Sequence, residues 1–208
     1  MPPDFAALLL AGGRSRRMGT DKALLEWLGQ PLWQVQAEKL RRLGGHHCFI
    51  ACREEQGLQE AWPSAAGIEW LFDPLGDDRG PLGAIGRVLR KTQAPTLVLA
   101  VDMPFISEAF LSGLACEQAA AASESGLFCQ TEQGVEPMAG IYVPAMLPLI
   151  EARLARGELG LQRLIAEAAA QGLARLRPAH PGESGLFANL NTPGEWQDCL
   201  LANDGRTA

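Results

Sequence analysis

The chain has 208 residues, with 18 Lys and Arg against 24 Asp and Glu, and a formal net charge of −6 at pH 7. A hydrophobic content of 47% with 20% charged residues is typical of a globular protein and excludes a disordered or fibrous one. The acidic balance argues against a general nucleic-acid binder or a protein that binds anionic membranes, because either needs a basic face.

The first part of the chain alternates segments that are typical of strands and of helices. A continuous apolar run predicts a buried strand over residues 5–10, and a glycine-rich loop over 12–19 follows it. Apolar residues at helical spacing predict a helix over 31–43. Two more strands are predicted over 46–51 and 68–72. This order predicts parallel strands joined by right-handed crossovers.

The alternation continues to the end of the chain. In order, it predicts a helix over 81–89, a strand over 96–101, a helix over 107–121 that Ser107 caps, strands over 126–129 and 138–143, and helices over 145–156 and 161–171. A last helix begins with a capping box, in which Thr192 is the N-cap, Pro193 the first helical residue and Glu195 the third. The whole predicts an α/β protein with a mostly parallel sheet between helical layers. We expect one domain over 1–208, with a frayed tail after about residue 201.

Nothing in the sequence indicates a membrane segment. No apolar run approaches the roughly 20 residues that a membrane-spanning helix requires. The early apolar run over 5–11 has Asp4 before it and Arg14, Arg16 and Arg17 after it, whereas a secretory signal has its basic residues first. The sequence therefore predicts a cytoplasmic protein with its mature N-terminus in place and no membrane partner.

The cysteines show no pair with Cys-x-x-Cys spacing, and they are Cys48, Cys52, Cys116, Cys129 and Cys199. This pattern favours reduced cysteines in the core over a redox or zinc site. His46, His47 and Cys48 resemble a metal cluster, but adjacent strand residues point to opposite faces and no further ligand is near in the sequence. We therefore expect no metal there.

The loop after the first predicted strand carries the strongest functional signal. Gly12 and Gly13 allow a tight turn that brings backbone N–H groups against a phosphate, although the loop matches neither the Walker nor the dinucleotide pattern. Four basic residues against one acidic residue give a local charge of +3, and these residues are Arg14, Arg16, Arg17, Lys22 and Asp21. Arginine forks and lysine point charges suit phosphate oxygens. The loop therefore predicts phosphate binding rather than a solvated basic turn.

A carboxylate at the end of an apolar strand predicts a second part of the site. Asp102 follows the strand over 96–101, where a buried charge is costly unless it is paired or bound to a cation. One carboxylate with phosphate oxygens and waters forms an ordinary magnesium site. Ser107 already caps the next helix, so we favour a metal ligand over a cap. The first loop and Asp102 both follow strands, so both are expected at the carboxyl edge of the sheet, where ligands bind in open α/β folds.

Three weaker features each have a plain structural interpretation as well. Asp73 also follows a predicted strand, and it either lies in the site or opens a turn. Gly80 and Pro81 form either a turn that wraps a base or an ordinary one. Asn189 and Asn191 bind a ligand or form Asx turns, and the residues alone favour the turn slightly.

Four ordered blocks resemble the nucleotidyltransferases that build dinucleotide cofactors and nucleotide sugars, and most closely the molybdenum cofactor guanylyltransferase (MobA-type) family. They span residue 8 to about residue 196 and read Leu10-Ala11-Gly12-Gly13-x-x-x-Arg17-Met18-Gly19-x-Asp21-Lys22, Gly80-Pro81-Leu82, Asp102-Met103-Pro104-Phe105 and Asn189-Leu190-Asn191-Thr192-Pro193. The resemblance implies a three-layer αβα, Rossmann-like nucleotidyltransferase fold. It also implies transfer of GMP from GTP to the terminal phosphate of molybdopterin, or of its molybdenum-loaded form, with release of pyrophosphate.

The same resemblance implies roles for particular residues and a Mg²⁺ cofactor. Arg17, Lys22 and Asp102 would be catalytic, with Asp102 as the Mg²⁺ ligand. The implied nucleotide ligands are Leu10, Ala11, Gly12, Gly13, Lys22, Asp73, Gly80, Pro81 and Asp102, of which Gly80 and Pro81 would cradle guanine. Asn189 and Asn191 would lie on the pterin side. Transient contact with proteins of cofactor biosynthesis or with molybdoenzymes is also implied.

The chain departs from the family pattern at two places. Its first loop is one residue shorter than in many bacterial members. A nucleotide-contacting Asn at the end of the second strand is replaced by Ile50, or is displaced to Cys52 and Arg53. Relatives that use CTP usually read Leu-Ala-Ala-Gly in the first loop, so the Gly12-Gly13 pair favours GTP.

Two other functions stay open on the sequence. One is a CTP-dependent molybdenum cofactor cytidylyltransferase or another sugar- or alcohol-phosphate nucleotidyltransferase. The other is a non-catalytic nucleotide-binding or cofactor-delivery protein, against which the presence of both Lys22 and Asp102 argues. The chain has 3 His and no evident nucleophile–base pair, which suits a reaction whose nucleophile is already an anionic phosphate.

Overall fold

The computed structural model describes residues 5–13, 21–43, 47–61, 67–73, 79–121, 124–188, 190 and 194–196. Within them the strands are β1 Ala6–Leu10, β2 Glu26–Trp27, β3 Gln30–Pro31, β4 His47–Cys52, β5 Ile68–Phe72, β6 Thr96–Ala100, β7 Gly126–Thr131, β8 Gly134–Tyr142 and β9 Ala174–Pro178. The helices are α1 Leu32–Arg42, α2 Leu58–Ala61, α3 Gly80–Thr92, α4 Glu108–Ala120, α5 Leu147–Ala155 and α6 Leu161–Ala170. The predicted roles of Arg17, Asn189 and Asn191, and the capping box at Thr192, lie outside these residues.

The described strands form a seven-stranded sheet in the order β5-β4-β1-β6-β8-β7-β9, beside a two-stranded hairpin of β2 and β3. β1 pairs in parallel with β4 and β6, β4 with β5, and β7 with β9, whereas β8 runs antiparallel to its neighbours β6 and β7. The predicted α/β fold with a mostly parallel sheet is confirmed. Because β8 alone reverses, the carboxyl ends of β5, β4, β1, β6, β7 and β9 all lie at one edge.

Helices cover both faces of the sheet, which explains the uninterrupted apolar sequence of the central strands. Along β1, Leu9 packs in the cluster that contains Trp33 of α1 and Leu111 of α4. Its neighbour Leu8 packs in the opposite cluster with Ile85 of α3, and that cluster also takes in α5 and α6. Both leucines are 0% exposed. Successive side chains of β1 thus point alternately into the two hydrophobic cores on opposite faces of the sheet. A polar residue at any position of this strand would therefore be buried.

Two elements carry too little sequence pattern to be predicted. β2 and β3 have two residues each, joined by Leu28 and Gly29 with φ of 53° and 79°. Positive φ at both positions is typical of a type I′ hairpin turn. The sequence also missed β9, in which two half-buried arginines, Arg175 and Arg177, alternate with the exposed Leu176 and Pro178. β7 and β8 extend further than the predicted strands because their outer halves are only partly buried.

The cysteine interpretation is confirmed for three of the thiols. Cys48, Cys52 and Cys129 are buried and free, whereas Cys116 is exposed. Burial raises the pKa of Cys48 and Cys52 to about 12 and that of Cys129 to about 11. The thiolate is the reactive form, so these three are inert core residues. No described helix is long and apolar enough to cross a bilayer.

Candidate nucleotide site

The functional residues converge because the parallel strands end in register. Leu10 of β1 pairs with both Ala51 and Ala100, and Cys52 of β4 pairs with Phe72. Hydrogen bonds carry the pairing past the strand ends, since Val101 N donates to Leu10 O at 3.0 Å and Asp73 N to Cys52 O at 3.0 Å.

Continuing these registers one or two residues further places four residues in one row across the sheet edge, in the order Asp73, Arg53, Gly12 and Asp102. Two predicted site residues that follow different strands, Asp73 and Asp102, therefore flank the first loop from opposite sides. The predicted convergence is present in the described chain, and Arg53 joins it.

Lys22 and Asp102 form one half of the site. Lys22 Nζ donates to Asp102 Oδ2 at 2.9 Å, and the two side chains are 13% and 29% exposed. Lys22 starts a 3₁₀ turn over Lys22–Leu24, and Asp21 caps that turn by accepting a hydrogen bond from Ala23 N. The cap directs the chain so that the lysine reaches the end of β6.

The first loop is held on its carbonyl side by two polar side chains that follow β4. Arg53 Nη1 donates to Gly12 O at 2.6 Å and to Gly13 O at 2.9 Å. Gln56 Nε2 donates to Ala11 O at 3.0 Å.

Asp21 Oδ2 completes this cluster by accepting from both groups, at 2.9 Å from Arg53 Nη2 and 2.8 Å from Gln56 Nε2. Asp21 therefore links the clamp on the first loop to the turn that carries Lys22.

Asp73 lies against the first loop from the β5 side. A Cβ added to Gly12 would stand 2.8 Å from Asp73 Oδ2, closer than ordinary van der Waals contact. The other oxygen, Oδ1, accepts from Arg87 Nη2 of α3 at 2.9 Å, and Arg87 Nη1 donates to Phe72 O at 2.7 Å. A side chain at position 12 would therefore require this carboxylate to shift from its contact with Arg87, or the backbone at Gly12 to move.

The segment after β6 is anchored by α1. Gln36 Nε2 donates to Met103 O at 2.8 Å, and Lys39 Nζ donates to Pro104 O and Ile106 O, both at 2.9 Å. Burial lowers the pKa of Lys39 to about 8, against a smaller opposing effect of Glu108. These contacts fix the backbone that carries Asp102.

Two other predicted regions approach the site differently. Leu190 N donates to Asp102 O at 3.4 Å, so the residue between Asn189 and Asn191 lies beside Asp102. Gly80 and Pro81 form the first turn of α3, with Gly80 at φ 55°. In the described part of the chain, no hydrogen bond or ion pair joins Gly80 or Pro81 to the first loop, Lys22 or Asp102.

Leu10 and Ala11 can reach a ligand only through their backbone. Both are buried, at 8% and 1% exposure, with Leu10 in the core under α3 and Ala11 in the core under α1. Ile50 is likewise fully buried, so no nucleotide contact can come from its side chain. The polar group at the end of β4 is instead Arg53.

The residues present fit a magnesium ion of the kind that substrate phosphates complete. Asp102 Oδ2 is occupied by Lys22, and within the described residues its Oδ1 accepts no hydrogen bond. The described residues hold no cluster of three or more His, Cys, Asp or Glu that could enclose a metal. Mg²⁺ is ordinarily held by one or two carboxylates together with substrate phosphates and waters, so a single carboxylate suffices.

The sequence missed the groups that hold the site rather than those that line it. Arg53, Gln56 and Arg87 bond to loop carbonyls or to carboxylates of the site, and none belongs to a recognisable motif. The family pattern did point to Arg53, as one of the positions to which a nucleotide-contacting Asn is displaced, but not to its contact with the loop carbonyls. The contact between Arg53 and Asp21 could be predicted only from the register of β1 and β4, which the sequence does not supply.

Two consecutive glycines and acidic residues at the carboxyl edge of a mostly parallel sheet define a nucleotide-binding α/β protein, the class that includes the nucleotidyltransferases. Residues 7–175 match the family model of the MobA-like NTP transferase domain. The chain belongs to the MobA-like NTP transferase family, which confirms the resemblance seen in the sequence blocks.

Relatives with similar sequences cover the chain almost completely. One from Synechococcus elongatus, named probable molybdenum cofactor guanylyltransferase, is 34% identical over 207 residues, 96% of this chain and 100% of the relative. Another of that name from Opitutus terrae is 35% identical over 195 residues, 91% of each chain. The crystal structure of molybdopterin-guanine dinucleotide biosynthesis protein A from Archaeoglobus fulgidus has a TM-score of 0.73 at 22% identity, covering 93% of this chain and 95% of that one. The last likeness confirms the nucleotidyltransferase fold.

Proposed function

We propose that this nucleotidyltransferase transfers GMP from GTP to the terminal phosphate of molybdopterin, or of its molybdenum-loaded form, to give the guanine dinucleotide cofactor. The observation that carries the proposal is that the Lys22–Asp102 pair and the Gly12–Gly13 backbone lie at the same edge of the sheet. The names of the relatives at 34% and 35% identity support the choice of substrates.

The reaction balances without a redox partner or an external base. An oxygen of the acceptor phosphate forms a bond to the α-phosphorus of GTP. The bond from that phosphorus to the bridging oxygen breaks, and pyrophosphate leaves with the electron pair. A phosphate monoester has a second pKa near ~6, so it is largely a dianion at neutral pH and requires no general base. Catalysis then consists of positioning and of neutralising charge.

The described residues divide this work between the two halves of the site. The backbone of Leu10, Ala11, Gly12 and Gly13 would meet the nucleotide, with Lys22 and Asp73 on either side. Lys22 would neutralise charge that develops on the phosphate oxygens. Gly80 and Pro81 would cradle guanine. Arg17 as a further catalytic cation, and Asn189 and Asn191 on the pterin side, complete the proposal from sequence.

Mg²⁺ is the proposed cofactor, with Asp102 as its protein ligand. When bound, it would neutralise phosphate charge as a Lewis acid. Asp102 contacts Lys22 through Oδ2, and no described residue donates to its Oδ1, which supports this placement because the pair offers one anionic and one cationic group to a metal–phosphate complex. Transient contact with other proteins of cofactor biosynthesis or with molybdoenzymes, and a cytoplasmic location, remain part of the proposal.

The test is pyrophosphate release across a panel of nucleoside triphosphates, with molybdopterin as the acceptor and Mg²⁺ present. GTP is expected to support turnover well above ATP, UTP and CTP. Preference for CTP would instead identify a cytidylyltransferase, although enzymes that use CTP usually read Leu-Ala-Ala-Gly where this chain has Gly12 and Gly13. Binding of GTP with no turnover would identify a non-catalytic binding or delivery protein.

A further inference from the structure

The carbonyl side of the first loop faces a clamp of Arg53 and Gln56. The two side chains together donate to three successive carbonyls, those of Ala11, Gly12 and Gly13, at 2.6 to 3.0 Å. Arg53 is mostly buried, with 19% of its side chain exposed. These hydrogen bonds from the segment after β4 fix the direction of all three carbonyls, and with them the orientation of the three peptide planes.

Fixing the carbonyls also fixes the amides on the other side. In a trans peptide, the carbonyl of one residue and the N–H of the next point in opposite directions. Since the Ala11 and Gly12 carbonyls point toward the clamp, the N–H groups of Gly12 and Gly13 point away from it. Within the described residues, neither N–H donates a backbone hydrogen bond. Adjacent N–H groups turned to one side form an anion-binding concavity.

Asp21 couples this concavity to the lysine. Its Oδ2 accepts from both Arg53 and Gln56, while its Oδ1 caps the turn that begins at Lys22. The clamp therefore sets the distance between two groups that attract phosphate, the loop amides and the Lys22 ammonium. Arginine suits this place because its planar fork reaches Gly12 O, Gly13 O and Asp21 at once, which a lysine cannot do.

We propose that Arg53, Gln56 and Asp21 are positioning residues that hold the backbone of residues 11–13 so that the N–H groups of Gly12 and Gly13 face the triphosphate of the bound nucleotide. The inference rests on the proposed function for the identity of the ligand. In this inference Arg53, the polar residue after β4, binds the backbone of the loop. The family pattern instead implies a residue there that contacts the nucleotide itself. None of the three touches the reacting atoms.

The experiment measures the dissociation constants of GTP and of guanosine by calorimetry, with Mg²⁺ and without acceptor, for Arg53→Ala, Arg53→Lys and Gln56→Ala. Arg53→Ala is expected to weaken GTP by about tenfold or more, the equivalent of one charge-assisted hydrogen bond or more, while guanosine changes less than about twofold. Arg53→Lys is expected to lie between, because it keeps the charge and loses the fork. Gln56→Ala should also weaken GTP binding more than guanosine binding, but by a smaller factor than Arg53→Ala.

Arg42→Ala is the matched control, since Arg42 is also an arginine in two ion pairs, with Glu38 and Glu108, on an exposed surface. It removes the same charge and is expected to leave both dissociation constants unchanged. In steady-state assays, Arg53→Ala should raise KM for GTP more than it lowers kcat.

Three results would overturn the clamp. They are equal losses of GTP and guanosine in Arg53→Ala, unaltered GTP affinity in that variant, and full GTP affinity in Arg53→Lys. If Arg53→Ala does not fold, unaltered GTP affinity in Gln56→Ala overturns it.

Failure of the proposed function is distinguishable from failure of the clamp. A chain that binds GTP with the expected clamp dependence but transfers no GMP overturns the proposed function and supports the clamp. A chain that transfers GMP while Arg53→Ala binds GTP normally overturns the clamp alone. Absence of any triphosphate binding overturns both.

Discussion

Lys22 and Asp102 lie 80 residues apart in sequence and are joined by a hydrogen bond of 2.9 Å. Each is mostly buried, and each stands where a parallel strand or the loop after it leaves the sheet. The ion pair uses Oδ2 of Asp102, and Oδ1 accepts no hydrogen bond from the residues that the structure describes. A carboxylate and an ammonium in contact at a ligand edge suit a metal-bound polyphosphate, which carries both a cation and anionic oxygens.

Asp102→Asn is predicted to abolish turnover while the protein remains folded. The amide keeps the size of the side chain and still accepts a hydrogen bond from Lys22, but it lacks the charge that a metal ligand needs. Pyrophosphate release should fall by roughly a hundredfold or more, with an unchanged circular dichroism spectrum. Glu151→Gln, which removes a carboxylate from the exposed pair with Arg90, serves as the control. Normal activity of Asp102→Asn would refute the role of this carboxylate.

Lys22→Ala is predicted to weaken binding of GTP more than binding of guanosine. An ammonium acts on the phosphates and has no reason to touch the base, so the loss should appear only with the triphosphate, at roughly tenfold. Calorimetry with the two ligands measures the difference. Lys91→Ala, in an exposed pair with Glu69, is the control. Equal losses for the two ligands would argue against a phosphate role.

The sheet and the site carboxylates were predictable because each leaves a mark in the sequence. The buried central strands appear in the sequence as apolar runs, and Asp73 and Asp102 directly follow the predicted strands over 68–72 and 96–101. Strand register determines the row of Asp73, Arg53, Gly12 and Asp102 across the sheet edge. A change of register by one residue would bring different residues side by side. An apolar run on a strand buried on both faces carries no signal for that register.

The supporting contacts were not predictable for a related reason. Arg53 and Gln56 bond to backbone carbonyls, and a carbonyl is present at every residue, so no partner type marks these side chains. The β2–β3 hairpin was missed because two residues per strand give no periodicity. Leu28 in its turn even opposes the prediction of a turn, since the residues typical there are Asn, Asp and Gly.

Glu136→Gln is predicted to change the stability of the protein in a pH-dependent way. Burial raises the pKa of Glu136, so the folded state binds this proton more tightly than the unfolded chain does. The contribution of Glu136 to stability is then fully present below its unfolded pKa and is lost as pH rises through the folded value. Glutamine does not ionise, so the variant does not lose this stability as pH rises. In urea titrations, the variant should gain stability relative to the parent at pH 7 and gain less at pH 4, and an equal change at both would contradict the prediction.

Leu28→Asn is predicted to stabilise the protein. Leu28 has φ 53° and is 70% exposed, so its side chain gains little from burial while its backbone occupies the left-handed region. Asparagine followed by Gly29 matches a type I′ turn, and the gain should be about 0.5 to 1 kcal/mol. Thermal unfolding measures it. Leu24→Asn, at an exposed leucine outside the turn, is the control, and a gain of the same size there would show that the effect comes from replacing an exposed leucine by a polar residue and not from the turn.

Gly12→Ala is predicted to destabilise the protein because of one carboxylate. The new Cβ would stand 2.8 Å from Asp73 Oδ2, whose partner oxygen is held by Arg87, so either the loop or the ion pair must move. A cost of about 1 to 3 kcal/mol is expected, as for other overpacked sites. Gly13→Ala is the matched control, since a Cβ there meets no atom of the described residues within 4 Å, and its change should stay within about 0.5 kcal/mol.

The cause can be isolated by a double-mutant cycle with Asp73→Ala. If the clash is with the carboxylate, Gly12→Ala should cost much less in the Asp73→Ala background, with a coupling energy of about 1 kcal/mol or more. Urea unfolding of the four proteins gives that energy. Additive effects would place the strain of Gly12→Ala in the loop backbone, and Asp73 would then have no part in the requirement for glycine.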